Sequence, residues 1–322
     1  MNASRIAFTW LLALTIVGGI AGTAFGLNVV ATTTIVADVV RAVAGEDIDL
    51  VTLLPANADP HAFQATPNDL VAISNADVIF ISGAGLEADF ADILATGDAL
   101  TIDLSTRVAL RESVGVEHHH EHGEEDHEQG DEDHEHADEE HSHGAYDPHV
   151  WFDPTNVMIW TSSIERTLAE LDPENAVGYA SRATTYRRSL ADLDLWTWDR
   201  VSRIPNERRN LVIDHLSFGY FAARYGLRQV GAILPGFSTL SEPSAREIAE
   251  LIDTIGDLGV PAIFVGTTVN PVLAESIATD TGTAVVSIYT GALSDPTGPA
   301  PTYIEFMRFN TMAIVDVLTN AP

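Results

Sequence analysis

Residues 211–233 read LVIDHLSFGYFAARYGLRQVGAI and contain one complete unit of a pattern that recurs along the chain. A short apolar run at 211–214 predicts a strand, the periodicity of 218–225 predicts a helix, and the apolar run at 229–233 predicts a second strand. Two strands joined through a helix lie parallel in a sheet, and the helix covers one face of that sheet. This stretch therefore predicts a βαβ unit.

The same alternation extends to both sides of this unit. Toward the C-terminus it predicts strands at 262–265 and 284–288 and helices at 243–258, 270–281 and within 302–318. Toward the N-terminus it predicts strands at 29–31, 48–54 and 77–82 and helices at 35–43 and 69–75. We therefore expect an α/β protein of two lobes, each a mostly parallel sheet covered by helices.

A long helix is expected between the two lobes, over residues 172–203. Asp172-Pro173-Glu174 offers an N-cap residue followed by proline at the first helical position, and no helix breaker follows before about Arg203. About 30 residues at 1.5 Å each form a rod of roughly 45 Å. We expect a rigid linker helix between an N-terminal lobe at 27–171 and a C-terminal lobe at 204–322, although a long surface helix of one lobe would give the same pattern.

The first 26 residues have the organisation of a secretory signal peptide. Arg5 precedes an apolar run at 6–20, and small residues lead to an expected cleavage site near Gly26. An uncleaved membrane anchor is the alternative interpretation. Either way, we expect the protein in an exported compartment, periplasmic or otherwise secreted. The sequence has no cysteine, so we expect it not to be a lipoprotein.

The amino-acid composition limits which kinds of partner and which kinds of metal site are possible. The 322 residues carry 16 basic and 47 acidic side chains, every basic one an arginine, and the net charge is −31. Nucleic acid is not expected as a partner, because phosphate binding needs clustered positive charge. The absence of cysteine excludes disulfides and thiolate metal sites. Any metal site must therefore be built from imidazole and oxygen ligands.

The segment 117–143 differs from the sequence around it. It contains 13 acidic residues and nine histidines but no basic and no aromatic residue. Such a segment cannot bury enough apolar area to fold alone, and we expect a disordered loop. Histidine enrichment favours auxiliary zinc binding over a purely acidic spacer, with binding lost as the pH falls through about 6.5. The nine histidines are His118, His119, His120, His122, His127, His134, His136, His141 and His143.

The other three histidines lie in sequence that is expected to fold, and an aspartate shortly precedes each of them. Histidines at the ends of strands or in loops are candidates for one three-histidine metal site, and Zn²⁺ favours imidazole ligands. Each aspartate could accept a hydrogen bond from the second ring nitrogen, or Asp-Pro could simply build a turn. The candidate ligands are His61, His149 and His215, and the aspartates are Asp59, Asp147 and Asp214.

These histidines stand in three motifs. The motifs are DPHAFQATPND at 59–69, DPHVWFDP at 147–154, and HLSFGYF at 215–221 with YGL at 225–227. They resemble the metal-ligand motifs of the zinc/manganese class of ABC-transporter solute-binding proteins, and EPSA at 242–245 and the stretch 303–310 extend the resemblance. It covers essentially the whole chain after the signal peptide. The acidic His-rich loop stands just before the second motif, as it does in zinc-binding members.

The resemblance implies a binding protein, not an enzyme. It implies that a metal ion lies in the cleft between the lobes, held by His61, His149 and His215, and that the protein captures Zn²⁺ and delivers it to the permease of an ABC transporter. Histidine at the third position favours zinc, because manganese-binding relatives tend to carry a carboxylate there. We expect a monomer. A periplasmic zinc chaperone, a manganese-binding relative and a three-histidine zinc hydrolase are the alternatives, and the hydrolase would need a general base that the sequence does not clearly offer.

The fourth ligand position departs from the pattern of the family. Gly291 stands where the resemblance leads us to expect an aspartate. The candidates for this position are Asp295, Glu242 or water, whereas Asp280 is expected on a solvated helix face. The aromatic side chains that we expect around the site are Trp151, Phe152, Phe218 and Tyr220.

Overall fold

The computed structural model describes residues 26–112 and 146–320. The predicted signal peptide, except for Gly26, and the His-rich segment 117–143 lie outside the described residues. In the described part of the chain, no helix is both long enough and apolar enough to cross a membrane.

The N-terminal lobe is built on a four-stranded parallel sheet. Its elements, in chain order, are β1 (Leu27–Ala31), α1 (Thr34–Ala44), β2 (Ile48–Thr52), α2 (Pro67–Asn75), β3 (Val78–Ile81), α3 (Ala91–Leu94), β4 (Leu100–Asp103) and α4 (Pro154–Leu171). The strand order is β2-β1-β3-β4. Thr33 begins α1 by accepting a hydrogen bond from the Val36 amide. The apolar side of α1, which includes Val39, Val40 and Val43, is fully buried.

The C-terminal lobe repeats this architecture. After α4 the chain forms α5 (Ala176–Val201), β5 (Asn210–Ile213), α6 (Gly219–Tyr225), β6 (Arg228–Ala232), α7 (Ala245–Leu258), β7 (Ala262–Gly266), α8 (Val272–Thr281), β8 (Ala284–Ile288) and α9 (Tyr303–Asn320). The strand order is β6-β5-β7-β8, again parallel. In both sheets the order reverses beside the first strand, and the carboxyl ends of the strands at such a point are where α/β proteins place ligands.

The predicted fold class is confirmed, and each predicted strand and short helix lies within two residues of its expected bounds. The elements that the sequence did not reveal are the short helix α3, the strand β4 and the helix α4. The predicted start of the long helix is also wrong. Asp172 ends α4 and does not begin α5; its carboxylate accepts hydrogen bonds from Asn175 Nδ2 at 2.8 Å and from the Tyr179 hydroxyl at 2.6 Å.

Helix α5 contacts elements of both lobes. Its 26 residues span about 39 Å. It packs against α1 and α4, which precede it in the chain, and against α6 and α9, which follow it. One apolar cluster runs from Val29 of β1 through Leu190 and Leu193 of α5 to Phe306 of α9. These contacts fit a rigid connection, and the role of α5 as the linker between domains stays a prediction.

One buried ion pair fixes α5 to α6. The Asp194 carboxylate, in a residue that is 8% exposed, accepts hydrogen bonds from Arg224 Nε at 3.0 Å, Arg224 Nη2 at 2.6 Å and the Tyr225 hydroxyl at 3.0 Å. Removing this acid takes from the guanidinium and the phenol the acceptor that they share. We expect Asp194→Ala to lower the free energy of unfolding of the metal-free protein by about 3 kcal/mol, measured by urea titration.

Asp192→Ala is the matched control, because Asp192 is an exposed acid on the same helix. It should change the free energy of unfolding by no more than about 0.5 kcal/mol. Equal stability of the two variants would show that the buried ion pair does not hold α5 to α6.

Candidate metal centre

Three histidines converge from separate parts of the fold. His61 lies in a short 3₁₀ helix, Pro60–Ala62, in the loop after β2. His149 directly precedes a second 3₁₀ helix, Val150–Phe152, and His215 lies two residues beyond the end of β5. One nitrogen of each ring can be chosen so that all three lie within 4.8 Å of one another. No other such group of three histidine or carboxylate side chains occurs in the described part of the chain.

The nitrogens that face one another include the Nε2 atom of each ring. Nε2 of His149 lies 3.2 Å from Nε2 of His61 and 3.2 Å from Nε2 of His215. His149 and His215 are almost completely buried, and His61 is partly exposed. The cluster is therefore centred on His149 and opens toward solvent on the side of His61.

Two aspartates determine which ring nitrogens carry hydrogen. Nδ1 of His149 lies 2.9 Å from Asp147 Oδ1, and Nδ1 of His215 lies 2.8 Å from Asp214 Oδ1. An ionised carboxylate can only accept a hydrogen bond, so Nδ1 is the donor opposite an ionised Asp147 or Asp214, and a ring with its single hydrogen on Nδ1 has a bare lone pair at Nε2. Bare lone pairs 3.2 Å apart repel each other, and a cation placed among them removes that repulsion.

Burial keeps the His61 and His149 rings in the neutral form that can bind a metal. Burial, assisted by repulsion from His215, lowers the pKa of His61 to about 4. Burial and the two neighbouring imidazoles hold the pKa of His149 well below its ordinary value of 6.5. At neutral pH both rings are therefore unprotonated, and a metal ion would not have to displace a proton from them.

Burial shifts the pKa of Asp147 in the opposite direction. Burial raises the pKa of its carboxyl to about 7, against the backbone hydrogen bond from His149 and the charge of Arg111. A cation among the Nε2 atoms would favour the ionised carboxylate, because the positive charge would be transmitted through the ring to Nδ1–H. Metal binding and the ionisation of Asp147 thus support each other.

Asp59 behaves differently from the other two aspartates. Its Oδ1 accepts a hydrogen bond from the backbone amide of His61 at 3.0 Å, and its Oδ2 accepts one from the Thr239 hydroxyl at 2.6 Å. Neither oxygen contacts the imidazole. The structure thus gives Asp59 the turn-building role that the sequence offered as the alternative, and it adds a bond to the opposite lobe.

The structure does not bring the two proposed carboxylates to the fourth ligand position. Asp295 and Glu242 are both exposed, and neither belongs to the histidine cluster. Asp295 instead accepts a hydrogen bond from Asn57 Nδ2 at 3.1 Å. Asp280 is exposed on α8, as expected. Among the described residues, the cluster holds imidazole nitrogens and no carboxylate oxygen.

Gly291 explains why no carboxylate occupies the position where the family pattern places one. A Cβ atom added to Gly291 would lie 2.5 Å from Cδ of Pro60. A contact that short cannot be accommodated without moving the residue next to His61. The glycine therefore allows the segment that carries His61 to pack closely against the C-terminal lobe.

Aromatic side chains surround the ligands, as predicted. The Trp151 ring contacts the His149 ring, with the centroids 5.3 Å apart, and Phe152 packs on Phe218 behind it at 4.1 Å. The Tyr220 hydroxyl donates to the carbonyl oxygen of Asp147 at 3.2 Å. This apolar surround excludes water from two of the three rings.

Three neighbours of the site had no signal in the sequence. Phe237 lies near the His149 ring, with the centroids 6.4 Å apart. Thr239 reaches Asp59 across 180 residues of sequence. The Gly266 amide at the end of β7 donates to Asp214 Oδ2 at 2.6 Å. A loop residue with no periodic pattern can be placed beside a site only by the tertiary fold.

The fold and the site together define a metal-binding protein with two α/β lobes and a three-histidine centre between them. The zinc-uptake complex component A family, ZnuA, described as periplasmic, matches residues 29–317. The chain belongs to this family.

Known proteins similar to this chain are named for different metals. The manganese-binding lipoprotein MntA of Halalkalibacterium halodurans is 30% identical over 299 residues, which are 91% of this chain and 89% of MntA. The metal ABC transporter substrate-binding lipoprotein SsaB of Streptococcus sanguinis is 27% identical over 88% of this chain and 86% of SsaB. The structure of the periplasmic zinc-binding protein TroA of Treponema pallidum superposes with a TM-score of 0.78 and 27% identity, covering 92% of this chain and all of TroA.

The family consists of substrate-binding proteins of metal ABC transporters and not of enzymes, so the expectation of a non-catalytic protein is confirmed. Its members are extracytoplasmic, bind metal ions and work with ABC permeases. The hydrolase alternative is thereby removed.

The hydrogen bond from His215 to Asp214 predicts a loss of metal affinity when the acid is removed. Asp214→Ala should weaken binding of Co²⁺ by the metal-free protein about 10- to 100-fold, because the ring loses the acceptor that fixes its tautomer and its orientation. Affinity is measured by competition with a chelator. Asp280→Ala, which removes an exposed acid from α8, should leave the affinity unchanged. Equal affinities in both variants would contradict the role given to Asp214.

Proposed function

We propose that this protein binds one Zn²⁺ ion tightly through His61, His149 and His215 and delivers it to an ABC permease for import. The observation that carries the proposal is the convergence of three imidazole rings, with Nε2 contacts of 3.2 Å centred on His149. Where Asp147 and Asp214 hold the ring hydrogens on Nδ1, the Nε2 atoms of His149 and His215 have no hydrogen to share. A cation that accepts their lone pairs stabilises this arrangement.

The spacing suits zinc. Two nitrogens bound at about 2.05 Å in a tetrahedral site lie about 3.3 Å from each other. The observed contacts of 3.2 Å are close to that value. A donor set of imidazole nitrogens alone also favours zinc over manganese, which prefers oxygen ligands. We assign the fourth position to water, because His61 leaves the cluster open on one side and no described carboxylate reaches it.

The composition of the His-rich segment 117–143 also favours zinc as the transported metal. Its nine histidines and 13 acidic residues offer many weak zinc ligands close in sequence to His149. We propose that this segment holds zinc ions loosely and raises their concentration near the cleft. The tight site and the segment are independent in this proposal, so the segment can be removed without destroying the site.

The proposed location is the periplasm, reached through the signal peptide 1–26. MntA and SsaB are named lipoproteins, which makes membrane attachment the competing expectation for this chain. Its sequence offers no cysteine thiol for acylation, and we therefore propose a soluble, monomeric form.

Titration of the metal-free protein with Zn²⁺ tests the proposal. A variant that lacks residues 117–143 should bind one equivalent tightly, and the full chain should bind this equivalent and additional weak ones. His61→Ala, His149→Ala or His215→Ala in the shortened chain should each lower the affinity by at least about 100-fold, because each removes a ligand. Mn²⁺ should compete only in large excess.

Tight zinc binding that survives the loss of all three histidines would contradict the proposal. A site that prefers Mn²⁺ to Zn²⁺ would contradict the proposal that zinc is the bound metal, but not the assignment of the chain to its family. Replacement of His134, in the His-rich segment, serves as a control in the full chain and should leave the tight equivalent unchanged.

A further inference from the structure

The three proposed zinc ligands are not held in the same way. The His149 and His215 rings are each fixed through Nδ1 by a carboxylate, Asp147 or Asp214. For the His61 ring, the hydrogen bonds of the described residues include no such acceptor. His61 therefore depends on the position of its backbone, and whatever holds that backbone controls the third ligand.

His149 and His215 are attached to the same part of the fold. The Trp151 indole, two residues beyond His149, donates to the carbonyl oxygen of Thr290 at 3.0 Å. The Tyr220 hydroxyl of α6 donates to the carbonyl oxygen of Asp147 at 3.2 Å. Both contacts join the His149 segment to the C-terminal lobe. These two histidines thus form one preassembled pair.

His61 instead belongs to a loop of the N-terminal lobe, and its segment, residues 57–61, reaches the C-terminal lobe at three points. The Thr239 hydroxyl donates to Asp59 Oδ2 at 2.6 Å. The side-chain amide of Asn57 donates to Asp295 Oδ2 at 3.1 Å, and its backbone amide donates to the carbonyl oxygen of Leu293 at 3.2 Å. The third point is the close packing of Pro60 on Gly291.

The Thr239 contact is directly coupled to the ligand. The Asp59 carboxylate connects His61 to Thr239. Its Oδ1 accepts a hydrogen bond from the backbone amide of His61 at 3.0 Å, and its Oδ2 accepts one from the Thr239 hydroxyl. A hydroxyl at 2.6 Å from a carboxylate oxygen is a short, charge-assisted hydrogen bond. The Asn57 contact lies earlier in the same segment. Asn57 has a left-handed backbone there, with φ of 60°, which asparagine tolerates.

We propose that Thr239 and Asp295 are positioning residues that clamp the His61 segment onto the C-terminal lobe and thereby set the rate at which bound zinc leaves. The inference rests on the proposed three-histidine site. With the clamp closed, the ion has three imidazole ligands. When the clamp opens, His61 withdraws with its loop, and the ion is left on the His149–His215 pair with more of its coordination open to water or to a competing ligand.

The clamp predicts a selective kinetic defect. Thr239→Val removes the hydroxyl at nearly constant volume and should speed the release of Zn²⁺ by about tenfold or more, as expected for a hydrogen bond to a charged group. Thr239→Ser keeps the hydroxyl and should restore release to within about twofold of the original rate. Asp295→Ala should speed release by about two- to fivefold, because this acceptor is exposed.

The rate of release is measured by stopped flow, mixing the zinc-loaded chain lacking residues 117–143 with excess chelator. Thr254→Val is the matched control, because the Thr254 hydroxyl bonds within its own helix to the Glu250 carbonyl oxygen; it should leave the rate unchanged. Two further measurements distinguish a loss of positioning of His61 from a general loss of stability. The thermal midpoint of metal-free Thr239→Val should match that of Thr254→Val, and its Co²⁺ absorption spectrum should shift toward that of His61→Ala.

Unchanged release in Thr239→Val and in Asp295→Ala would overturn the clamp while leaving the zinc site in place. If Thr239→Val does not fold, Asp295→Ala and Thr239→Ser decide the matter through the same rates. Failure of the unsubstituted chain to bind Zn²⁺ tightly through its histidines would instead overturn the proposed function, and the clamp with it.

Discussion

The site depends on the repulsion between imidazole nitrogens that the fold holds face to face. The Nε2 atoms of His61 and His215 each lie 3.2 Å from that of His149, and the carboxylates of Asp147 and Asp214 direct the ring hydrogens to the far side of two rings. Burial reinforces this state by lowering the pKa values of His61 and His149. Such an arrangement is costly when empty and favourable around a cation. It selects for positive charge without any thiolate ligand, which this chain cannot supply.

The fold supplies the geometry that this repulsion requires. Each sheet has the same parallel order, which collects loops at the carboxyl ends of the strands. His215 follows the first strand of its sheet directly, so its position is fixed by β5. His61 stands on a longer loop, and Gly291 lets that loop pack against the opposite lobe. The cluster thus combines a pair of histidines attached to the C-terminal lobe with a third that arrives from the other lobe.

Much of this could be predicted from the sequence. Alternating apolar runs revealed the two sheets, and three isolated histidines next to aspartates stood out against nine clustered in one segment. Helix α4 was not predicted, although Asp153 as N-cap and Pro154 at the first helical position mark its start. The similar pair Asp172-Pro173 predicted a helix start that lies before the true start of α5. Nearness in sequence does not place Asp295 among the histidines, since its carboxylate accepts a hydrogen bond from Asn57. Thr239 could not be found at all, because its contact with Asp59 exists only after the lobes come together.

In the proposed site, three imidazoles and no carboxylate hold the metal. X-ray absorption spectroscopy at the zinc edge, on the chain lacking residues 117–143 and loaded with one equivalent, measures this directly. We expect three imidazole nitrogens and one water oxygen at about 2.0 to 2.1 Å from the zinc ion. A spectrum with two or fewer imidazoles, or with a first shell dominated by carboxylate oxygens, would contradict it.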